Sequence, residues 1–163
     1  MVDKKVKVLF VCLGNICRSP SAEAIFSAKV NTAGYASQIS TDSAGTSNYH
    51  IGSSPDNRAV TYASRRGYDL KHLRARQVSA DDFDKFDYIL AMDEDNLVNL
   101  TAIKPQQCKA RLALILNYID CELVSNEVPD PYFGGDQGFD HVLDLLETAS
   151  DGLLNNILKN HSL

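Results

Sequence analysis

Residues 8–20 join a predicted strand, a tight loop and a helix start, and this order constrains the fold more than any other stretch of the chain. They read Val-Leu-Phe-Val-Cys-Leu-Gly-Asn-Ile-Cys-Arg-Ser-Pro, so strand-forming residues run up to Cys12 and a proline follows where first helical turns favour it. Short apolar runs of this kind fit strands that are covered on both faces of a parallel sheet. We therefore expect Cys12 at the carboxyl end of a buried first strand, just before a helix.

The rest of the chain continues the alternation of strand and helix. Further strands are predicted at residues 37–43, 86–92 and 111–118, and helices at residues 19–33, 55–66, 93–103 and 139–157. This order predicts an α/β fold in which one domain, residues 1–163, forms a doubly wound, four-stranded parallel sheet with helices on both faces. Ligands of such sheets bind beyond the carboxyl ends of the strands, where Cys12 is expected.

Charge and cysteine content argue against several classes of function. The net charge of −5 disfavours general binding to nucleic acid or to an anionic membrane, because both need a basic surface. No stretch of the sequence approaches the roughly 20 apolar residues of a membrane span. Four cysteines in 163 residues are too few for a disulfide framework, so a reducing, cytoplasmic location is expected.

The loop after Cys12 has the residue types that bind a tetrahedral oxyanion and attack it. A thiol that faces backbone amides at a helix N-terminus favours its thiolate form, which is the nucleophile, and the same amides bind phosphate. Gly14 permits a tight turn, and Asn15 tolerates the left-handed backbone that a concave loop requires. The planar guanidinium of Arg18 suits two phosphoryl oxygens, and Ser19 places a hydroxyl within reach of the Cys12 sulfur.

Residues 12–20 resemble the phosphate-binding loop of the low-molecular-weight protein tyrosine phosphatases. The spacing of Cys12 and Arg18 alone is a weak signal, but the strand before it and the helix after it make it specific. The resemblance covers essentially the whole chain and continues in residues 42–46, 75–77, 86–93 and 128–132. It implies an enzyme that hydrolyses protein phosphotyrosine and small aryl phosphates through a cysteinyl-phosphate, with no metal and no cofactor.

Asp130 is the candidate for the general acid that a departing ester oxygen needs. It stands between Pro129 and Pro131, which stiffen the backbone around it, although Pro-Asp-Pro by itself is also typical of an ordinary turn. The resemblance implies that Asp130 first protonates the leaving group and then activates water. Cys12, Arg18 and Asp130 are therefore the predicted catalytic residues.

The predicted binding residues surround this group. Tyrosines in loops are by themselves ordinary surface residues, but the resemblance implies that Tyr49 and Tyr132 flank the ring of a phosphotyrosine, with Leu13 and Ile16 at the lower edge of the cleft. His50 is interpreted as a solvated or packing residue. The full set predicted to bind phosphate and substrate comprises Leu13, Gly14, Asn15, Ile16, Cys17, Ser19, Tyr49 and Tyr132.

Further roles depend on the resemblance. It implies that Asn15, Ser43 and His72 hydrogen-bond together behind the loop, and that oxidation forms a reversible disulfide between Cys12 and Cys17. Without the resemblance, His72 would be a surface histidine and Cys17 a small buried residue. No second pair of closely spaced Cys or His residues supports a metal site.

Two other functions are weighed on the sequence alone. A thiol-linked arsenate reductase uses a related loop, but it needs further thiols to take up the product, and no cysteine lies between Cys17 and Cys108. A phosphotyrosine-binding module without activity would be expected to lack Cys12, Arg18 or Asp130, and all three are present. The expected partner is a phosphotyrosine-containing protein substrate, and the expected assembly is a monomer or a weak homodimer.

Overall fold

The computed structural model describes residues 6–121, 125–131 and 136–163, so the predicted limits of the domain, 1–163, include residues outside this description. Four strands form one parallel sheet in the order β2-β1-β3-β4, with β1 at Val6–Cys12, β2 at Ile39–Gly45, β3 at Tyr88–Ala91 and β4 at Arg111–Leu114. The helices are α1 (Arg18–Thr32), α2 (Asn57–Arg65), α3 (Asp82–Lys85), α4 (Glu94–Ile103) and α5 (Asp136–Asn160). The predicted α/β class is confirmed, with one domain, a four-stranded parallel sheet and helices on both faces.

Strand β1 contributes to the core on both faces of the sheet, because successive side chains of a strand point in opposite directions. Val8 and Phe10 are fully buried in the cluster that α1 and α5 cover. Leu9 and Val11 are fully buried in a second cluster on the other face, which includes Leu100 of α4. The continuous apolar run of β1 therefore reflects burial on both faces, as expected for a central parallel strand.

The order of the strands determines where a ligand binds. β1 pairs with β2 on one side and with β3 on the other, and open α/β sheets bind ligands in the crevice at the carboxyl end of such a strand. Cys12 is the last residue of β1, and α1 begins at Arg18, which confirms the order expected from residues 8–20. Pro20 lies in the first turn of α1, where a backbone N–H would have no helical partner.

The fourth strand is shorter than its apolar run predicts. Residues 111–118 form a strand only as far as Leu114 and continue as a 3₁₀ helix at Ile115–Tyr118. Helix α5 packs against this turn so closely that a Cβ atom added at Gly152 would collide with the Tyr118 carbonyl. The strand therefore ends where the chain meets α5, a contact between distant segments that the local sequence does not show.

The remaining differences concern helix length. α3 has four residues, too few to show a helical period, and it has no counterpart in the sequence-based prediction. α5 extends three residues beyond the predicted 139–157 at each end, because polar end residues do not add to an apolar pattern. The other boundaries move by no more than two residues. None of the helices in the described ranges has both the length and the apolar character needed to cross a membrane.

Candidate active site

The Cys12 sulfur lies at the floor of the loop that joins β1 to α1. It accepts a hydrogen bond from the Asn15 amide, with 3.3 Å between N and Sγ, and it lies 3.0 Å from the Ser19 hydroxyl oxygen. Asn15 has a φ of 57°, the left-handed conformation expected from its residue type. Cys12, Asn15 and Ser19 are 3%, 3% and 0% exposed, so water does not compete for these contacts.

The side chain of Asn15 fixes the loop by using both its amide nitrogen and its oxygen. Nδ2 donates to the hydroxyl oxygens of Ser19 at 2.8 Å and Ser43 at 3.0 Å, and Oδ1 accepts from the backbone N–H of Arg76 at 3.0 Å. Since Asn15 donates to the Ser19 oxygen, the Ser19 hydrogen is free for another acceptor. The Cys12 sulfur at 3.0 Å is closer than the alternative, a backbone carbonyl at 3.3 Å, so Ser19 is placed to donate to a thiolate.

The network continues from Ser43 to Glu23, a residue of α1. The Ser43 hydroxyl donates to Glu23 Oε1 at 2.7 Å. Burial raises the pKa of Glu23 above its ordinary value, although the hydrogen bond from Ser43 opposes this change. His72 and Glu23 line the same cavity of about 460 Å³, and no hydrogen bond joins His72 to Asn15 or Ser43 in the described part of the chain. The role of His72 stays a prediction.

Arg18 is buried, and two acceptors hold one side of its guanidinium. Nη1 donates to Asp93 Oδ2 at 2.6 Å and to the Val128 carbonyl at 3.0 Å. Burial by itself lowers the pKa of Arg18, but the Cys12 sulfur and the Asp93 carboxylate outweigh burial and the pKa is raised. Asp93 is itself fixed, because its Oδ1 accepts from the Asn96 N–H at 2.8 Å and caps α4. The planar guanidinium is therefore oriented and permanently charged.

Asp130 reaches the same pocket from a different segment of the chain. The Val128 N–H donates to the Met92 carbonyl at 2.8 Å, which attaches residues 125–131 to the sheet just after β3. Asp130 Oδ2 then lies 3.5 Å from Arg18 Nη2, and the Asp130 side chain is 33% exposed. A carboxyl at the open side of the pocket is well placed to exchange a proton with a leaving group or with water.

These side chains belong to one pocket of about 210 Å³ at the carboxyl end of β1. Three further predicted residues are not among those that line the pocket and support its loop instead: Asn15, Ser19 and Ser43. Asn15 donates to both serine hydroxyls, and the Ser19 hydroxyl lies beside the Cys12 sulfur. Tyr132 lies outside the described residues. The predicted residues that line the pocket are Cys12, Leu13, Gly14, Ile16, Cys17, Arg18, Tyr49 and Asp130.

Four residues of the site are absent from the sequence-based prediction. Ser47 and His50 line the pocket, and a Cβ added at Gly14 would lie 2.9 Å from the His50 ring, so the glycine makes room for it. Asp93 directly follows β3, and its place beside the carboxyl end of β1 is the signal that could have identified it. Glu23 lies four residues after Ser19, so the two side chains face the same side of α1, and this spacing is the signal that could have identified it.

Cys17 also lines the pocket, but its surroundings differ from those of Cys12. It is 6% exposed, and burial, followed by the nearby Asp56, raises the pKa of its thiol above the ordinary value. Both cysteines are free thiols, and the disulfide between them stays a prediction. Among the residues described, no three His, Cys, Asp or Glu side chains are grouped so as to hold a metal ion.

Comparison with known sequences identifies the family. A family model described as low molecular weight phosphotyrosine protein phosphatase matches residues 7–163. The chain belongs to this family. A low molecular weight phosphotyrosine protein phosphatase of Schizosaccharomyces pombe is 45% identical over 157 residues, which cover 96% of this chain and 99% of the relative. The match to the family thus extends over nearly all of the chain.

Solved structures of similar proteins agree with this family. A protein tyrosine phosphatase from Entamoeba histolytica, with Hepes in its active site, has a TM-score of 0.89 at 40% identity, covering 97% of this chain and 99% of that one. A Drosophila arginine phosphatase has a TM-score of 0.86 at 33% identity, covering 93% and 97%. The fold of this low molecular weight phosphatase is therefore shared over almost the full length of both neighbours.

Proposed function

We propose that this phosphatase hydrolyses protein phosphotyrosine and small aryl phosphates by forming a phosphoryl bond to Cys12, without a metal ion. One observation supports the proposal most strongly: the buried Cys12 sulfur and the Asp130 carboxyl face one pocket, with the Arg18 guanidinium 3.5 Å from the carboxyl. This arrangement offers a nucleophile, a cation for the phosphoryl oxygens and an acid within a single cavity.

In the first proposed step, the ionised Cys12 sulfur attacks phosphorus while the bond to the phenolic oxygen breaks. The sulfur lone pair forms the S–P bond, the electron pair of the broken P–O bond goes to the phenolic oxygen, and the Asp130 proton neutralises that oxygen. Arg18 and the backbone N–H groups of the loop stabilise the three equatorial oxygens. The buried contact with Asp93 supports this role, because it fixes the guanidinium before substrate binds.

In the second proposed step, water replaces the sulfur. The Asp130 carboxylate accepts a proton from water as the water oxygen attacks phosphorus, and the S–P bond returns its electron pair to Cys12. The Ser19 hydroxyl, 3.0 Å from the sulfur, stabilises the departing thiolate. Inorganic phosphate leaves with Asp130 protonated and Cys12 ionised, so the enzyme is ready for another cycle.

The walls of the pocket favour an aryl leaving group. Leu13, Ile16 and Tyr49 present mainly carbon to the group that leaves, whereas the guanidinium of a phosphoarginine needs polar partners. We therefore propose phosphotyrosine as the substrate, even though one structural neighbour is named an arginine phosphatase. The proposed partner is a phosphotyrosine-containing protein, the proposed assembly is a monomer or weak homodimer, and the proposed location is the cytoplasm, where thiols stay reduced.

Two substitutions and a matched control test the catalytic roles. Cys12→Ser is expected to abolish turnover of p-nitrophenyl phosphate. Asp130→Asn is expected to slow hydrolysis of a phosphotyrosyl peptide by about 10²–10⁴-fold, and to slow an aryl phosphate with a better leaving group much less. Asp151→Asn removes a carboxylate of α5 that is 65% exposed, and both rates should stay unchanged. Full activity of Cys12→Ser, or an equal loss for Asp151→Asn, would contradict the assignment.

A second experiment tests the substrate class. Matched peptides that carry phosphotyrosine, phosphoserine or phosphoarginine are incubated with the enzyme in excess chelator, and released phosphate is measured. Fast release from the phosphotyrosyl peptide alone is expected. Equal release from the phosphoarginyl peptide, or a need for added metal, would contradict this part of the proposal. Reduction of arsenate with thioredoxin as electron donor would instead support the reductase alternative.

A further inference from the structure

Two large apolar side chains of the pocket wall are exposed to solvent, and a third is exposed two residues further along the same segment. Leu13 is 47% exposed, Tyr49 is 85% exposed and Ile51 is 59% exposed, and we call these three residues the apolar rim. Leu13 and Tyr49 line the pocket, and Ile51 follows Tyr49 by two residues. The other large hydrophobic side chains exposed in the described ranges, Val98 and Ile103, belong to α4. The apolar rim is therefore a concentrated feature of the site.

The apolar rim is fixed to the loop that carries the nucleophile. Residues 46–56 leave the end of β2, and the Ser47 N–H donates to the Leu13 carbonyl at 2.9 Å. At the other end of this segment, the Asp56 N–H donates to the Ile16 carbonyl at 2.8 Å. Because hydrogen bonds attach the segment to the loop at both ends, a partner that covers the rim would cause little loss of conformational entropy in it.

The part of this segment that carries Tyr49 and Ile51 has few charged neighbours in the sequence. No Asp, Glu, Lys or Arg occurs in residues 43–55, although these residue types make up 23% of the chain. The neighbouring polar residues are neutral, with Asn48, Ser53 and Ser54 among them. An acidic side chain placed over this surface would lose water and approach the Asp130 carboxyl at the open side of the pocket, whereas an apolar side chain would gain burial.

We propose that the apolar rim binds an apolar side chain next to the phosphotyrosine of the substrate, so that the enzyme prefers apolar to acidic neighbours at that position. This inference rests on the proposed function, because a phosphotyrosine in the pocket is what brings its neighbours to the rim. Consecutive Cα atoms are about 3.8 Å apart, so the residues that flank the phosphotyrosine lie next to the entrance of the pocket. Continuity of the rim with the pocket therefore selects the substrate chain as its occupant.

The test compares three phosphotyrosyl peptides that differ only in the residues on both sides of the phosphotyrosine: leucine, serine or glutamate. With the unmodified enzyme, kcat/KM should be about three- to tenfold higher for the leucine peptide than for the serine peptide, and lowest for the glutamate peptide. In Ile51→Ser the ratio of leucine to serine peptide should fall to about twofold or less. In Ile51→Lys the glutamate peptide should overtake the serine peptide.

Val98→Ser is the matched control, because Val98 is 64% exposed and lies on α4. It should leave the ratios of the three peptides as they are in the unmodified enzyme. Melting temperatures of the variants show that each is folded, and light scattering at the assay concentration reports self-association.

Four outcomes would overturn the inference. Equal kcat/KM for all three peptides would do so while leaving the proposed function intact. If Val98→Ser changes the kcat/KM ratios of the peptides as much as Ile51→Ser does, the effect belongs to the protein surface in general and not to the rim. A dimer that dissociates in Ile51→Ser, with unchanged peptide ratios, would show that a second copy occupies the rim. No hydrolysis of any phosphotyrosyl peptide would remove the proposed function, and with it this inference.

Discussion

The floor and the mouth of the pocket differ in almost every physical property. At the floor, Cys12, Asn15 and Arg18 are at most 3% exposed and are held by hydrogen bonds or an ion pair. At the mouth, the apolar side chains of Leu13 and Tyr49 are 47% and 85% exposed, and the Asp130 side chain is 33% exposed. The floor is polar and buried, whereas the mouth is mainly apolar and exposed to solvent.

This difference separates chemistry from recognition. Fixed charges and dipoles that are shielded from water stabilise a reacting phosphoryl group at no cost of reorganisation, so the floor should affect every substrate alike. Apolar surface in water gains free energy only when a partner covers it, so the mouth should affect only substrates that reach it. Changes at the floor are thus expected to lower kcat, and changes at the mouth to alter KM or the choice among substrates.

Among substitutions that keep the nucleophile and the acid, the largest effect is expected from Arg18→Lys, which keeps the charge of the floor and removes its planar geometry. Lysine cannot donate to two phosphoryl oxygens in the same way, nor replace both contacts with Asp93 and Val128. We expect kcat/KM for p-nitrophenyl phosphate to fall by about 10²–10³-fold. Arg65→Lys, an exposed substitution in α2, is the control. Similar activity of the two variants would show that geometry at the floor does not matter.

A smaller loss is expected from Gly45→Ala, which alters the backbone packing beneath the loop. An added Cβ would lie 2.7 Å from the Leu13 carbonyl oxygen and 3.1 Å from the Asn15 nitrogen, so the loop must shift. We expect kcat/KM to fall by about 10- to 100-fold and the melting temperature to drop. Gly138→Ala is the matched control, because its Cβ would meet Pro131 at an ordinary 3.6 Å. Full activity of Gly45→Ala would mean that the loop tolerates displacement.

At the mouth, Tyr49→Ser should have a moderate effect that depends on the substrate. Loss of the ring should raise KM for an aryl phosphate by about three- to tenfold, while kcat stays within about twofold. Tyr49→Phe keeps the ring and should keep KM. Steady-state kinetics of both variants provide the measurement, and a fall in kcat comparable to that of Arg18→Lys would erase the distinction between floor and mouth.

The smallest effect is expected from Glu23→Gln, and it appears as pH dependence of stability. Burial raises the pKa of Glu23 in the folded protein, so the unfolded chain loses this proton first as pH rises. The free energy of unfolding of the wild type therefore falls as the pH rises from the pKa of the unfolded chain through that of the folded protein. The glutamine variant would keep an acceptor for Ser43 without this penalty. The melting temperature of the variant relative to wild type should therefore increase from about pH 4 to about pH 7. If the difference in melting temperature between the variant and the wild type does not change with pH, the pKa of Glu23 is not raised in the folded protein.

The elements that follow from local pattern are predicted well. The strand up to Cys12, the helix start at Arg18 and the left-handed Asn15 all depend on residues that are neighbours in the chain. The early end of β4 at Leu114 could not be predicted, because it results from packing against α5 near Gly152. Local preference governs an element until a contact from a distant segment changes it.

The same division applies to the site. Cys12 and Arg18 lie on one loop, and their spacing predicts their association. Asp93 and Glu23 are missing from the prediction, because their contacts with Arg18 and Ser43 depend on the order of the strands and on the face of α1, and each segment by itself is only a strand end or a helix. The sequence favours a solvated or packing role for His50, whereas the structure places it on the wall of the pocket.

The loop, the charge at its end and the order of strands and helices can be predicted from the amino-acid sequence, since they depend on backbone preference and apolar spacing over short distances. The remote groups that complete the site become visible only in the folded chain: Asp93 beside Arg18, Glu23 beside Ser43, and the exposed side chains of Leu13 and Tyr49 at the pocket. These contacts depend on the order of β1 beside β3 and on how distant segments pack over the sheet, and the free energy of that packing belongs to no single segment.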